Sequence, residues 1–159
     1  MIKRSPLTVP FPVGRGRVEE QFAVRDVIGG KSMSETRRPV IACIEDQPDI
    51  AELIDLILQR KGYTVLKAYD GDEGLALVRE HKPDLILLDL MMPGLDGWRF
   101  HAQLREDPEL RDIPVIYVTA RASAEERLRA LEKEGAAAYI VKPFSPRELL
   151  EIIEQTLKR

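Results

Sequence analysis

From residue 40 onward the apolar positions fall into two alternating patterns. Val40–Ile44, Tyr63–Ala68, Leu85–Leu88, Val115–Val118 and Ala137–Val141 are short runs rich in apolar and β-branched residues, and they read as strands. Between them, apolar residues recur at spacings of three and four. Ile50, Leu53, Ile54, Ile57 and Leu58 make one amphipathic helix; Leu75, Ala76 and Val78 mark a second; residues 97–106 and Ala122–Glu134 make a third and a fourth. Leu149, Leu150, Ile152, Ile153 and Leu157 form the stripe of a fifth. Pro48 and Pro146 fall in first helical turns, where a missing N–H is tolerated. Gly62, Pro83 and Gly135 end helices, and Asp70-Gly71 and Met92-Pro93-Gly94 turn the chain.

Five predicted strands thus alternate with five helices. The first, third and fourth strands lack in–out alternation, so both of their faces are buried. That predicts an α/β fold with a parallel sheet covered by helices. Right-handed crossovers limit its topology. In such a sheet, ligands bind at the carboxyl ends of the strands, where the strand order reverses.

Residues 1–39 behave differently. They show no sustained periodicity; Pro6, Pro10 and Pro12 break the start, Gly14, Gly16, Gly29 and Gly30 loosen the rest, and a short helix around Val18–Val27 is the one element suggested. Gly29-Gly30-Lys31-Ser32 resembles part of a phosphate-binding loop, but position 25, where its first glycine belongs, is Arg, and no apolar strand precedes it. Met33 is an alternative start. Residues 1–38 are therefore expected to be a flexible extension, and 39–159 the folded domain.

Composition narrows the classes. A chain of 159 residues that is 44% hydrophobic suits one globular domain with an extension. No apolar run approaches the ~20 residues needed to cross a bilayer. No secretory signal pattern opens the chain, and the single cysteine, Cys43, sits in an apolar run and is expected to be buried. A cytoplasmic protein without membrane insertion is expected. The charge is uneven: residues 1–39 carry net +4 and residues 40–159 net −7. An acidic body argues against direct DNA binding, because phosphate contacts dominate such affinity.

Polar residues cluster at the predicted strand ends. Glu45 and Asp46 follow the first strand, Asp89 the third, Thr119 closes the fourth, and Lys142 the fifth. Each has a structural reading of its own: a turn, a helix cap or a solvated lysine. In a parallel sheet, however, all of them converge on one edge. Three crowded carboxylates repel and call for a counter-charge. Mg²⁺, a hard cation that takes oxygen ligands, supplies one, and the compact ammonium of Lys142 a second. Thr119 offers a hydroxyl donor. The set suits phosphoryl transfer, which needs positioning and charge neutralisation, with Asp89 as the carboxylate that forms an aspartyl phosphate.

With these residues in place the chain resembles the receiver domains of two-component response regulators, and in length the single-domain chemotaxis-regulator type. The resemblance rests on Ile44-Glu45-Asp46-Gln47-Pro48 and on residues 84–97, 113–120 and 139–144, in order from about Val40 to the end. It implies a flavodoxin-like doubly wound (βα)5 fold with strand order 2-1-3-4-5. It implies Asp89 as phosphoacceptor. Asp46, Asp89 and the backbone carbonyl of Met91 are implied as direct Mg²⁺ ligands, with Glu45 acting through water. Lys142 is implied on the phosphoryl oxygens, with a cis bond to Pro143. Thr119 and Tyr139 are implied as a switch in which the hydroxyl moves towards the phosphate and the ring moves inward. Glu45 stands where many members have Asp. Gly135-Ala136-Ala137-Ala138 lacks the acidic residue that the DNA-binding winged-helix subfamily uses in dimer contacts, and Met91 and Arg121 flank the site.

The expected function is a phosphoacceptor protein, not an enzyme acting on other substrates. A histidine kinase or histidine phosphotransfer protein phosphorylates it, and a surface of the fourth helix, fifth strand and fifth helix then switches. Since the chain ends at Arg159, just past the fifth helix, a separate downstream protein target is expected. The alternative is a phosphorylation-independent interaction module. A phosphatase on the same topology is disfavoured, since Met91 stands where such enzymes carry a second Asp. His81 and His101 read as ordinary helix residues, and Trp98 as partly exposed at the start of the third helix.

Overall fold

The computed structural model describes residues 37–158 apart from Ala122. The expectations for residues 1–36, including the helix around Val18–Val27, lie outside the described residues.

The chain runs β1 (Val40–Ile44), α1 (Pro48–Arg60), β2 (Thr64–Ala68), α2 (Gly71–His81), β3 (Leu85–Leu88), α3 (Gly97–Glu106) and β4 (Val115–Thr119). It ends with α4 (Ala124–Leu128, continued by a π-helical turn over Arg129–Lys133), β5 (Ala138–Val141) and α5 (Pro146–Leu157). All neighbouring strands pair in parallel, in the order β2-β1-β3-β4-β5 expected of a doubly wound sheet. The three central strands are buried almost throughout, which is why their sequences do not alternate.

The pleat sends alternate side chains into two cores. Ile41, Cys43, Leu85, Leu87, Ile116 and Val118 pack under α1 and α5 with Ile54, Leu58, Leu149 and Ile153. Ala42, Ile44, Ile86, Leu88, Val115 and Tyr117 face the other way, under α2, α3 and α4, with Leu75, Phe100, Leu104 and Ala130. Cys43 is buried, as its apolar surroundings predict.

Local signals set the helix starts. The side chains of Asp70, Asp96, Ser123 and Ser145 accept hydrogen bonds from Glu73, Arg99, Glu126 and Glu148 backbone N–H groups respectively. The Ser123 cap moves the start of α4 to Ala124, later than the expected Ala122, and Gly135 follows the helix with φ +76°. The wider π turn was not visible in the sequence, because its apolar spacing still fits a regular helix. A second difference concerns α1. Its buried face carries Ala51, Ile54, Ile57 and Leu58, while Leu53, expected in the stripe, is 45% exposed, as is Leu56 at 53%. Small Ala51 lets the helix approach the sheet, so the buried stripe centres on it and turns Leu53 outward.

Candidate functional site

Ladder hydrogen bonds that run just past the strand ends carry the polar residues to one edge. Glu45 N–H donates to the Ala68 carbonyl (3.0 Å), Asp89 N–H to the Ile44 carbonyl (3.1 Å) and Lys142 N–H to the Thr119 carbonyl (2.9 Å). Asp89 is thereby pinned beside the end of β1, and Lys142 beside the end of β4. The Lys142-Pro143 peptide is cis.

The side chains then meet. Lys142 Nζ lies 2.6 Å from Glu45 Oε1 and 3.1 Å from Asp89 Oδ2. The other Asp89 oxygen accepts from Met91 N–H at 2.9 Å, and Glu45 Oε2 accepts from Gln47 N–H at 3.2 Å. One carboxylate oxygen each from Glu45, Asp46 and Asp89 falls within 4.8 Å of the others. Glu45 and Asp89 are buried and Asp46 half-buried, so the cluster opens to solvent on the Asp46 side.

Charge in this confined space is unbalanced. Burial pushes the Glu45 carboxyl up to about 7; the hydrogen bond from Lys142 pulls it back, and the charge of Asp89 pushes it further up. For Lys142, burial pulls the ammonium down, but its hydrogen bond to Glu45 and the charges of Asp89 and Glu45 more than reverse this, leaving it above its ordinary range. Three carboxylates and one ammonium leave an excess of negative charge on an all-oxygen donor set. Such a set suits a hard divalent cation, not a softer metal that prefers nitrogen or sulfur ligands.

A glycine keeps the loop after Asp89 in place. A Cβ on Gly97 would sit 2.6 Å from the Asp89 carbonyl oxygen and 2.7 Å from Leu90 Cα, both backbone atoms. Only a residue without a side chain lets the start of α3 fold this closely against the segment that carries Asp89.

The fold brings Glu45, Asp46, Asp89 and Lys142 together, with the Met91 backbone against Asp89. Thr119 and Tyr139 form a second group beside them. Thr119 is fully buried, and its Oγ1 accepts a long hydrogen bond (3.4 Å) from Arg121 N–H. Tyr139 is 5% exposed, and its hydroxyl donates to the Arg121 carbonyl at 2.8 Å. Arg121 also pairs with Glu126 in the first turn of α4. One loop thus touches the Thr119 hydroxyl, the Tyr139 hydroxyl and the start of α4.

A model of the response regulator receiver domain matches residues 41–154. The chain belongs to that family. The receiver is 42% identical over 119 residues to the phosphate regulon transcriptional regulatory protein PhoB of Escherichia coli, which covers 75% of this chain and 52% of that protein. It is 39% identical over 121 residues to the DNA-binding dual master transcriptional regulator RpaA of Synechocystis, covering 76% of this chain and 50% of that protein. The chain spans about half the length of these curated relatives. Among solved structures, the Vibrio cholerae chemotaxis protein CheY4 superposes with a TM-score of 0.71 at 28% identity, over 76% of this chain and 99% of that one. The BeF3-activated receiver domain of Klebsiella pneumoniae RstA superposes with a TM-score of 0.70 at 31% identity, over 76% of this chain and 99% of that one. The receiver is thus a two-component signalling domain. No helix among the described residues is long and apolar enough to cross a membrane.

The sequence reading missed one buried pair. His101, read as an ordinary helix residue, is 5% exposed, and its Nδ1 lies 2.6 Å from the hydroxyl of Tyr117, which is fully buried. The available signal was Tyr117 itself: a tyrosine in the middle of an otherwise aliphatic central strand needs a partner for its hydroxyl.

Proposed function

We propose that this receiver accepts a phosphoryl group on Asp89 and uses it to switch a protein-binding surface. The observation that carries the reading is the meeting of Glu45, Asp46 and Asp89 oxygens within 4.8 Å, with Lys142 bridging two of them. Asp46, Asp89 and the Met91 carbonyl would hold Mg²⁺ directly and Glu45 through water, the all-oxygen set fitting that ion. When bound, Mg²⁺ neutralises charge on the phosphoryl oxygens.

The chain's own residues do the rest. The Asp89 carboxylate attacks phosphorus; an acyl–phosphate bond forms as the bond to the histidine nitrogen of a kinase or phosphotransfer protein breaks, and that nitrogen keeps the electron pair. Lys142, already 3.1 Å from Asp89 Oδ2, turns its ammonium to the phosphoryl oxygens. The domain catalyses only its own phosphorylation and dephosphorylation. Thr119 then moves to the phosphoryl group, and the Arg121 loop, which touches the Thr119 and Tyr139 hydroxyls and the start of α4, carries the change to the surface. A shift of the switch from 1:99 to 99:1 needs about 5.5 kcal/mol of differential stabilisation, within reach of a few charge-assisted hydrogen bonds.

The readout surface is α4, β5 and α5, where Leu128 (57% exposed) and Leu131 (40%) stand in solvent. Its partner is a downstream protein, with no direct DNA contact by this domain, in a cytoplasmic setting. Residues 39–159 act as the receiver and residues 1–38 as an extension to it. The test is intact mass after incubation with Mg²⁺ and acetyl phosphate. One phosphoryl group should be gained by the wild type, lost with chelator and absent in Asp89→Asn. If no group is gained, and Mg²⁺ with beryllofluoride leaves the Thr119 and Tyr139 resonances unmoved, the domain is a phosphorylation-independent module.

A further inference from the structure

Behind the proposed switch lies a buried polar contact that none of the steps above uses. Tyr117 on β4 is fully buried, and its hydroxyl is 2.6 Å from Nδ1 of His101 on α3. A phenol hydroxyl and an imidazole nitrogen shut away from water each need a partner, and here each is the other's. The bond fixes where the Tyr117 ring stands. That ring is the wall on which Tyr139 rests: the two residues are register partners across β4 and β5, with ring centroids 6.2 Å apart at 70°. The Tyr117 ring also meets Trp98 edge-on, with centroids 5.4 Å apart. Arg129 lies 3.9 Å over the Trp98 ring, and it opens the π turn of α4. A second tie holds the same turn: Glu134 pairs with both Arg129 and Arg105. A continuous stack therefore joins α3, the centre of β4, the Tyr139 ring and α4.

We propose that the His101–Tyr117 pair is a positioning latch: it sets the Tyr117 ring so that Tyr139 rests inside the sheet edge, and through Trp98 and Arg129 it holds α4 beside it. The latch favours the conformer with the Tyr139 ring inward, and it rests on the reading of Thr119 and Tyr139 as the switch, which assigns that conformer to the phosphorylated state. A ligand that binds one conformer binds more tightly as that conformer's share of the population rises. His101 and Tyr117 touch neither metal nor phosphoryl group; they act through Tyr139.

Two variants of the full chain separate the latch from simple packing. Tyr117→Phe keeps the ring and removes the hydroxyl. His101→Leu/Tyr117→Phe replaces both partners with apolar groups, a change close to neutral for stability, and so removes the bond without leaving an unpaired nitrogen. The first readout is the nuclear Overhauser contact between the Tyr139 ring and the ring at position 117, without Mg²⁺ or phosphoryl analogue. The second is the apparent Kd for beryllofluoride with Mg²⁺. The wild type should show the ring contact. Both variants should lose most of it and bind beryllofluoride about five-fold more weakly, the value of one buried hydrogen bond passed into the switch equilibrium. Absence of the contact in the resting wild type overturns the latch. So does a double variant that keeps the contact and a Kd within two-fold of wild type. A wild type that shows the contact yet ignores beryllofluoride overturns the phospho-switch instead, while the ring contact in the variants still decides the latch.

Discussion

The same buried pair should make folding stability depend on pH in a calculable way. Burial, and after it the nearby Arg105, pull His101 from 6.5 down to about 4, with Glu134 pushing back. The folded protein therefore refuses a proton that the unfolded chain accepts. Between those values the unfolded state carries more protons, so His101 lets stability rise with pH, and its contribution is lost as pH falls from about 6.5 to about 4. About 2.5 units at about 1.36 kcal/mol each give a ceiling of about 3.4 kcal/mol; between about pH 7.5 and about pH 5 the loss is about 2 kcal/mol. Glu45 works the other way. Its carboxyl is pushed up to about 7, so the folded state holds a proton that the unfolded one releases, and stability falls as pH rises through an overlapping window. The wild-type curve thus sums opposing slopes. Urea unfolding of wild type and His101→Leu/Tyr117→Phe at both pH values, compared with a shared m, isolates the histidine. The stability of wild type relative to the variant should fall by about 2 kcal/mol at the lower pH. A difference between the two proteins that stays constant within about 0.5 kcal/mol would show that His101 is not held neutral by its burial, and the reasoning fails.

Two further outcomes follow from the site. Gly97→Ala places a Cβ 2.6 Å from the Asp89 carbonyl oxygen, so it should cost about 1–3 kcal/mol by denaturant unfolding and slow acetyl-phosphate labelling of Asp89; wild-type stability and rate would refute the close approach. Glu45→Gln removes one of three crowded carboxylates that would serve Mg²⁺; Mg²⁺ affinity by calorimetry should fall about ten-fold, as expected for a residue acting through water, and an unchanged affinity would remove Glu45 from the metal site.

Much of this was legible in the chain because backbone-level rules set it. Unbroken apolar runs such as Leu85–Leu88 mean strands buried on both faces, and parallel strands place every carboxyl end on one edge. Glu45, Asp89 and Lys142 could therefore be placed together before any distance was known. The structure then showed what joins them: hydrogen bonds from Glu45, Asp89 and Lys142 that extend the ladders one residue beyond the strands. Helix faces were read less well. Leu53 and Ala51 lie two residues apart and both suit a helix, and only the approach of α1 to the sheet decides that Ala51 is buried and Leu53 exposed. The π turn over Arg129–Lys133 was hidden for a similar reason: it is associated with packing of Arg129 over Trp98, residues 31 positions apart in sequence.

The sequence by itself determined the alternation of strands and helices, the parallel sheet and the identity of the acidic edge. These follow from local periodicity and from a topology that geometry restricts. Only the tertiary structure decided which partners the buried polar groups found. His101 and Tyr117 are 16 residues apart, and Lys142 and Asp89 are 53 apart. No local pattern encodes such pairings, because each depends on how far two separately formed elements close on one another and on what charge or hydroxyl is left facing the gap.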